Sequence, residues 1–185
     1  MTNRKIYRRL SVVVMLLWLV GNPALALVGY ETRITGGPSQ HTWPSISRDL
    51  VVFEDDRNGQ VDIYLYNITS GIEKRLTDRP GEHYWPKIYG DRVGWWDNRS
   101  GINNFDVFMY NVTTGAETRI TSDPANQENA DLYRDRIVWM DKRFGNFDIY
   151  LYNTTTGSET PITQDPADQW EPQVWGDRIV WMDNR

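Results

Sequence analysis

The stretch DKRFGNFDIYLYNTTTGSETPIT, Asp141 to Thr163, decides the fold. It opens on an Asp-x-Arg turn, runs into an aromatic, extended segment and closes on a Thr-Gly turn and a second short run. Within Asp148–Tyr152, Ile149 and Leu151 point to one face of an extended chain, and Tyr150 and Tyr152 to the other. Both faces are largely apolar, so the strand is buried on both. A sheet wetted on one side would alternate apolar with polar residues.

The same text recurs. DNRSGINNFDVFMYNVTTGAETRIT occupies Asp97 to Thr121, and DDRNGQVDIYLYNITSGIEKRLT occupies Asp55 to Thr77. The opening Asp stands at Asp55, Asp97, Asp141 and Asp183, spaced 42, 44 and 42 residues apart. The closing Thr stands at Thr35, Thr77, Thr121 and Thr163 with the same spacing. Each copy reads as four short strands rich in β-branched and aromatic residues and bounded by Gly, Asp, Asn and Pro. No helical period is sustained beyond the N-terminal segment. A unit of four strands and about 40–45 residues, with strands buried on both faces, is the blade of a β-propeller. A β-solenoid competes less well, because its repeats are normally shorter. The expected fold is all-β: a partial, open propeller of about 3.5 four-stranded blades of 42–44 residues. A leading strand covers 31–35, blades cover 43–77, 85–121 and 129–163, and a half blade covers 170–185.

The pattern Pro-x-Ile … Arg-Ile-Val-Trp-x-Asp-x-Arg-x-Gly-x-x-Asp-Ile-Tyr-Leu-Tyr … Thr-Gly-x-Glu-x-x-Ile-Thr resembles the TolB-like or WD40-like β-propeller repeat. It looks most like the repeats of archaeal cell-surface and surface-layer-associated proteins. The resemblance runs from Tyr30 to Arg185. It implies a ligand- or protein-binding scaffold and no reaction. It also implies closed rings of about six or seven blades, which this chain by itself does not supply.

The first 26 residues read differently. Arg4, Lys5, Arg8 and Arg9 precede an apolar run from Leu10 to Val20, then Gly21-Asn22-Pro23 and the small residues of Ala24-Leu25-Ala26. That order is a secretory signal peptide cleaved after Ala26, leaving the propeller segment at 27–185. The run is short for a span, which needs about 20 residues. The expected location is therefore extracellular or at the cell surface, with no membrane span after cleavage. The segment carries four of the 20 Lys and Arg and none of the 25 Asp and Glu, leaving a formal charge of −9. Such a charge argues against nucleic acid as a partner. Cysteine is absent, so packing rather than disulfides must hold a secreted fold. Aromatic residues make up 13% of the chain, which points to an aromatic core.

Alternating connections divide the loops between two rims. On one rim, Asp55/Arg57, Asp97/Arg99, Asp141/Arg143 and Asp183/Arg185 read as structural ion pairs, because a residue present in every copy maintains the repeat. Gly59, Gly101 and Gly145 supply positive φ in these turns. The competing reading is a calcium loop with Asp62, Asp106 and Asp148 as later donors; an Arg inside the loop opposes a cation, and calcium wants six to eight oxygens. No resident cofactor or metal is expected. The inter-blade loops on the same rim differ between copies and read as a binding rim: Glu82, His83, Tyr84; Asn126, Gln127, Glu128; Asp168, Gln169, Trp170. His41 and His83 read as exposed loop histidines, and Trp43 and Trp85 as packing between blades. Asn67, Asn98, Asn111 and Asn153 head N-x-Ser/Thr sequons, candidates for glycosylation in exposed turns.

No G-x-S-x-G elbow, P-loop or H-E-x-x-H is present, and thiol chemistry is excluded. The expected function is a non-catalytic scaffold that binds a protein or a cell-surface glycan, with self-association through open blade edges. The alternative is a propeller-type enzyme with a glycosidase-like carboxylate pair. Two carboxylates that differ from their repeat equivalents and face the central channel would favour that alternative.

Overall fold

The computed structural model describes residues 13–17 and 29–185. Strand β1 (Val13–Leu17) pairs antiparallel with β2 (Gly29–Arg33). Three meanders follow: β3 (His41–Ser47), β4 (Leu50–Asp55), β5 (Asp62–Asn67) and β6 (Ile72–Arg75); then β7 (His83–Tyr89), β8 (Arg92–Asp97), β9 (Asp106–Asn111) and β10 (Glu117–Arg119); then β11 (Gln127–Tyr133), β12 (Arg136–Asp141), β13 (Asp148–Asn153) and β14 (Ser158–Pro161). A hairpin of β15 (Gln169–Trp175) and β16 (Arg178–Asp183) ends the chain. Each meander is a four-stranded antiparallel sheet in sequence order, and among the described residues no sheet closes on itself. The architecture is the expected open, partial β-propeller. The signal-peptide reading and its cleavage point after Ala26 fall largely outside the described residues.

Stacking follows from the two apolar faces of each strand. Val52, Ile63 and Leu65 of the first blade pack against Val93, Trp95, Phe108 and Tyr110 of the second. Val107 of the second packs against Ile137, Trp139 and Tyr150 of the third. Val138 of the third meets Val174 of the final hairpin. Leu76, just past β6, enters the seam between its own blade and the next. Ile34, just past β2, does the same against Val51, Phe53 and Tyr64. The leading strand is therefore seated on the first blade by its tail, while its edge pairs with β1.

One carboxylate organises each turn between the second and third strands. Asp55, Asp97 and Asp141 are buried. In the third blade, Asp141 accepts from the Trp139 indole N–H (3.0 Å), the Arg143 amide (3.0 Å) and Arg143 Nε (2.9 Å). Arg143 Nη1 then reaches Glu159 on β14 at 2.7 Å, and its guanidinium lies 4.3 Å from the Tyr150 ring centroid. The second blade repeats this with Trp95, Asp97, Arg99 and Glu117. The first blade has Phe53 where the others have Trp and so lacks the indole donor. His41 supplies the contact instead, with Nε2 3.1 Å from Asp55. Burial opposes the charge of Asp55, but the Arg57 guanidinium and amide outweigh it and hold the carboxyl below its usual range.

A second buried carboxylate starts the third strand. Asp62 and Asp106 each accept from a closing Thr hydroxyl (Thr77, 3.1 Å; Thr121, 3.4 Å) and pair with Arg75 and Arg119 at 2.7 and 2.6 Å. The same hydroxyls accept from the Ile63 and Val107 amides. In the third blade Pro161 stands where Arg75 and Arg119 do. Asp148 thus keeps Thr163 (3.1 Å) but has no arginine partner, and burial raises its carboxyl above the usual range.

Asp141→Ala leaves the Trp139 and Arg143 donors without their buried acceptor. It should lower unfolding free energy by about 3 kcal/mol in urea titration. A change below ~0.5 kcal/mol would contradict the role assigned to this carboxylate.

Candidate binding groove

The first strand of each blade, β3, β7, β11 and β15, lines a concave groove of about 980 Å³. All four strands share one irregularity. Register slips between Thr42 and Ser45, Tyr84 and Lys87, Glu128 and Asp131, and Trp170 and Gln173. At each slip a residue other than glycine takes positive φ: Trp43 (49°), Trp85 (52°), Asn129 (58°) and Glu171 (52°). These are β-bulges, which re-aim one side chain each. Here they turn two Trp, one Asn and one Glu side chain onto the groove. Deeper along the same strands lie Ser45, Lys87, Asp131 and Gln173, then Ser47, Tyr89, Tyr133 and Trp175. The intervening positions, such as Ile88, Leu132 and Val174, are buried between blades.

The groove therefore differs in every blade, whereas the Asp-Arg turns do not. Trp43 and Trp85 stack across the blade boundary with centroids 4.5 Å apart, and Trp43 remains 54% exposed. They pack between blades, as expected, but on the open groove face. The wall is tied together by polar contacts. Glu54 accepts from the Trp85 amide (2.6 Å) and the Thr42 hydroxyl (2.6 Å), joining the first two blades. Burial raises its carboxyl above the usual range despite both bonds. Asp131 accepts from the Val174 amide at 2.8 Å, joining the third blade to β15, and burial raises it also.

The nine positions expected on a binding rim divide into three sets. His83, Gln127 and Gln169 are buried rather than exposed, because the first residue of each inner strand points into the blade, opposite Asp97, Asp141 and Asp183 in register. Glu82, Asn126 and Asp168 cap the preceding blade, accepting from the Val61, Phe105 and Phe147 amides at 2.8, 3.4 and 2.8 Å. Three different side chains thus do one job, and their variability does not mark recognition. Tyr84, Glu128 and Trp170 are half-buried beside the bulges. Tyr84 packs on Trp96, which in turn meets Phe105.

The histidines depart from expectation. His41 is 3% exposed and His83 0%. Both occupy the inward position that Gln127 and Gln169 fill elsewhere. His83 Nδ1 stands 3.0 Å from the Val61 carbonyl, while its Nε2 is buried without a partner. Sequence reasoning placed both in a loop because it began the first strands at Trp43 and Trp85. In the structure these strands begin two residues earlier, across the bulge.

The sequon asparagines Asn67, Asn111 and Asn153 close their turns by accepting from backbone amides, and Asn98 accepts from the Glu82 amide. Asn111 and Asn153 also donate through Nδ2 to Asp91 and Asp135. Among the described residues no group of three or more His, Asp or Glu side chains is arranged to hold a metal ion. No helix among them is long and apolar enough to cross a membrane.

Glu54→Gln keeps an acceptor for the Trp85 amide and removes the buried charge. The raised carboxyl makes the wild type gain stability as pH falls through its folded-state pKa towards the ordinary carboxylate value, and lose it above. The variant should therefore be more stable than wild type at pH 8 and should converge with it near pH 3. Urea melts at both pH values measure this; a variant less stable at pH 8 would contradict it.

Neither a family model nor a curated protein matches the chain. Solved structures do. A protein described as TolB from Agrobacterium tumefaciens superposes with a TM-score of 0.69 at 21% identity, over 93% of this chain and 63% of its own. TolB from Acinetobacter baumannii superposes with a TM-score of 0.66 at 16% identity, over 84% and 41%. A puromycin-hydrolyzing peptidase of Mycobacterium tuberculosis does so with a TM-score of 0.58 at 15% identity, over 73% and 22%. This chain thus spans less than two thirds of each of these proteins. At such identities the likeness is one of fold: the chain is an open arc of TolB-like β-propeller blades.

Proposed function

We propose that this chain is a non-catalytic binding module, secreted or held at the cell surface, that recognises a protein or glycan through the inner groove. One observation carries this reading. Positions that recur in every blade are consumed by buried Asp, Arg and Thr contacts, while the bulge positions carry Trp, Trp, Asn and Glu onto one open surface. Exposed aromatic rings beside amides and carboxylates suit saccharide and peptide ligands. The basic-then-apolar N-terminus supports export. Trp175, Val180 and Met182 are 73%, 61% and 46% exposed, although their equivalents Tyr133, Val138 and Met140 are buried. An uncovered apolar face of that kind favours self-association.

A screen of the folded chain on glycan and peptide arrays identifies the ligand class. Trp43→Ala and Trp85→Ala should each weaken the captured ligand about tenfold, the scale of a lost aromatic contact. Capture unaffected by both changes would place recognition elsewhere.

One feature favours the enzymatic alternative. Asp131 and Glu171 both line the groove, and neither is a carboxylate in any other copy, where Ser45, Lys87 and Gln173, and Trp43, Trp85 and Asn129, stand instead. Hydrolysis of a groove-bound glycan, abolished in both Asp131→Asn and Glu171→Gln, would establish it. Binding without turnover leaves the module non-catalytic.

A further inference from the structure

The end of the groove away from the bulges combines an aromatic ladder with two arginines in an unfavourable backbone conformation. Tyr89, Tyr133 and Trp175 succeed one another on adjacent blades with centroids 4.6 and 4.7 Å apart. The next residue in each blade turns sharply with positive φ: Arg48 (56°), Gly90 (60°), Arg134 (54°) and Gly176 (63°). Glycine takes this conformation freely, and arginine does not. Two of four copies nevertheless carry arginine there. The turn geometry is retained without the arginine side chains, as Gly90 and Gly176 show, so folding does not require them.

Arg134 lies 5.4 Å from the Tyr133 ring centroid. Arg134 and Tyr133 beside the Tyr89 hydroxyl, with Arg48 adding its charge, hold that phenol below its usual range. Three of the four neighbouring acids are engaged elsewhere: Asp49 accepts from Thr69 (3.0 Å), Asp91 from Asn111 (3.1 Å) and Asp135 from Asn153 (3.0 Å), while Asp177 is exposed beside Arg178. The Arg134 carbonyl is clamped by Arg92 Nη1 at 2.6 Å, which fixes the turn that presents its side chain. Arg48 and Arg134 are exposed; of the three rings Trp175 is open to solvent at 73%, Tyr89 is half-buried and Tyr133 is buried behind them.

We propose that this end of the groove binds the carboxylate of an acidic saccharide, with Arg48 and Arg134 as charge partners and the exposed Trp175 ring, backed by Tyr133 and Tyr89, as the platform for the sugar ring. Guanidinium forks match carboxylates, and aromatic side chains dominate the apolar lining of ligand sites. An extended peptide would bind by adding a strand to the inner edges. Two of the four edges are already used: on β7 the Ile88 and Gly90 amides donate to Ser45 and Ser47 at 3.2 and 2.9 Å, and on β15 the Val174 amide donates to Asp131. Recognition there is left to side chains, which favours a ring over a strand.

This inference rests on the groove being the recognition surface, and the test separates the two. The folded chain is titrated calorimetrically with tetragalacturonic acid, with its fully methyl-esterified form and with a tetraglutamate peptide. Wild type should bind the acid at least tenfold more tightly than the ester or the peptide. Arg48→Gly/Arg134→Gly installs the residue that the other two copies already carry. It should remain folded by circular dichroism and bind acid and ester alike. A wild type that does not distinguish acid from ester, a double variant that keeps the preference, or a peptide bound as tightly as the saccharide would each overturn the inference. If Trp43→Ala weakens a bound ligand while the arginine changes leave it untouched, the groove reading stands and this inference falls.

Discussion

The fold depends on a buried carboxylate at the end of each second strand. Asp55, Asp97 and Asp141 are removed from water, where an unpaired charge would be prohibitive. Each is therefore surrounded by donors: a turn amide, an arginine and, in two blades, an indole N–H. That demand explains the conserved spelling of the repeat. Arg two residues on is in reach of the same turn, Trp two residues back lies on the same strand face, and Glu on the fourth strand neutralises the far end of the arginine. The contact ties three of four strands in a blade into one electrostatic unit. The first blade shows the constraint is on donors rather than on residue identity. When Trp becomes Phe53, His41 moves its ring nitrogen into the vacated role.

Because these contacts are satisfied inside each blade, they leave the inner strands free to vary. A β-bulge in every first strand then does for the groove what the carboxylate does for the core. It imposes one backbone on four copies and lets the side chain differ. Positive φ at Trp43, Trp85, Asn129 and Glu171 carries a cost, of order 1 kcal/mol or more per residue. Packing elsewhere in the blade sustains it. Strain concentrated on variable, solvent-facing positions suits a surface whose composition answers to a ligand.

Much of this was legible in the sequence, and the limits have physical causes. Period, strand alternation and the positions of the Asp-Arg turns follow from one-dimensional spacing, so blade architecture could be read directly. The bulges could not. Trp-Pro invites a strand to start at the Trp, and nothing in residue type betrays a left-handed backbone at Asn129 or Glu171. That single omission misplaced the start of the first three inner strands by two residues and of the last by one. It sent His41, His83, Gln127 and Gln169 to an exposed loop when they are core. It also made Glu82, Asn126 and Asp168 look like a variable recognition rim, although Glu, Asn and Asp all offer an oxygen and all cap the same amide. The groove itself escaped notice because its positions are separated by about 42 residues and come together only through blade stacking.

Sequence copy and structural blade are out of phase, and the seam shows why this matters. Leu76 belongs to the end of one copy but is buried between that blade and the next. Glu54 of the first blade accepts from the Trp85 amide of the second, and Glu82 before the second caps Val61 of the first. Ile34 occupies the place of Leu76 one copy earlier and packs on Val51 and Phe53. Thr35, the counterpart of Thr77, is buried, yet its hydroxyl has no partner among the described residues, whereas Thr77 links Asp62 and the Ile63 amide. The tail of a copy is thus built to serve two blades at once: its apolar residue fills the next seam and its Thr completes its own third strand. Repeats that interlock in this way couple neighbouring blades through specific polar contacts as well as apolar area. The inner strands gain a fixed spacing from it, since the same seams carry the Ile88, Gly90 and Val174 amides onto Ser45, Ser47 and Asp131 of the preceding blade.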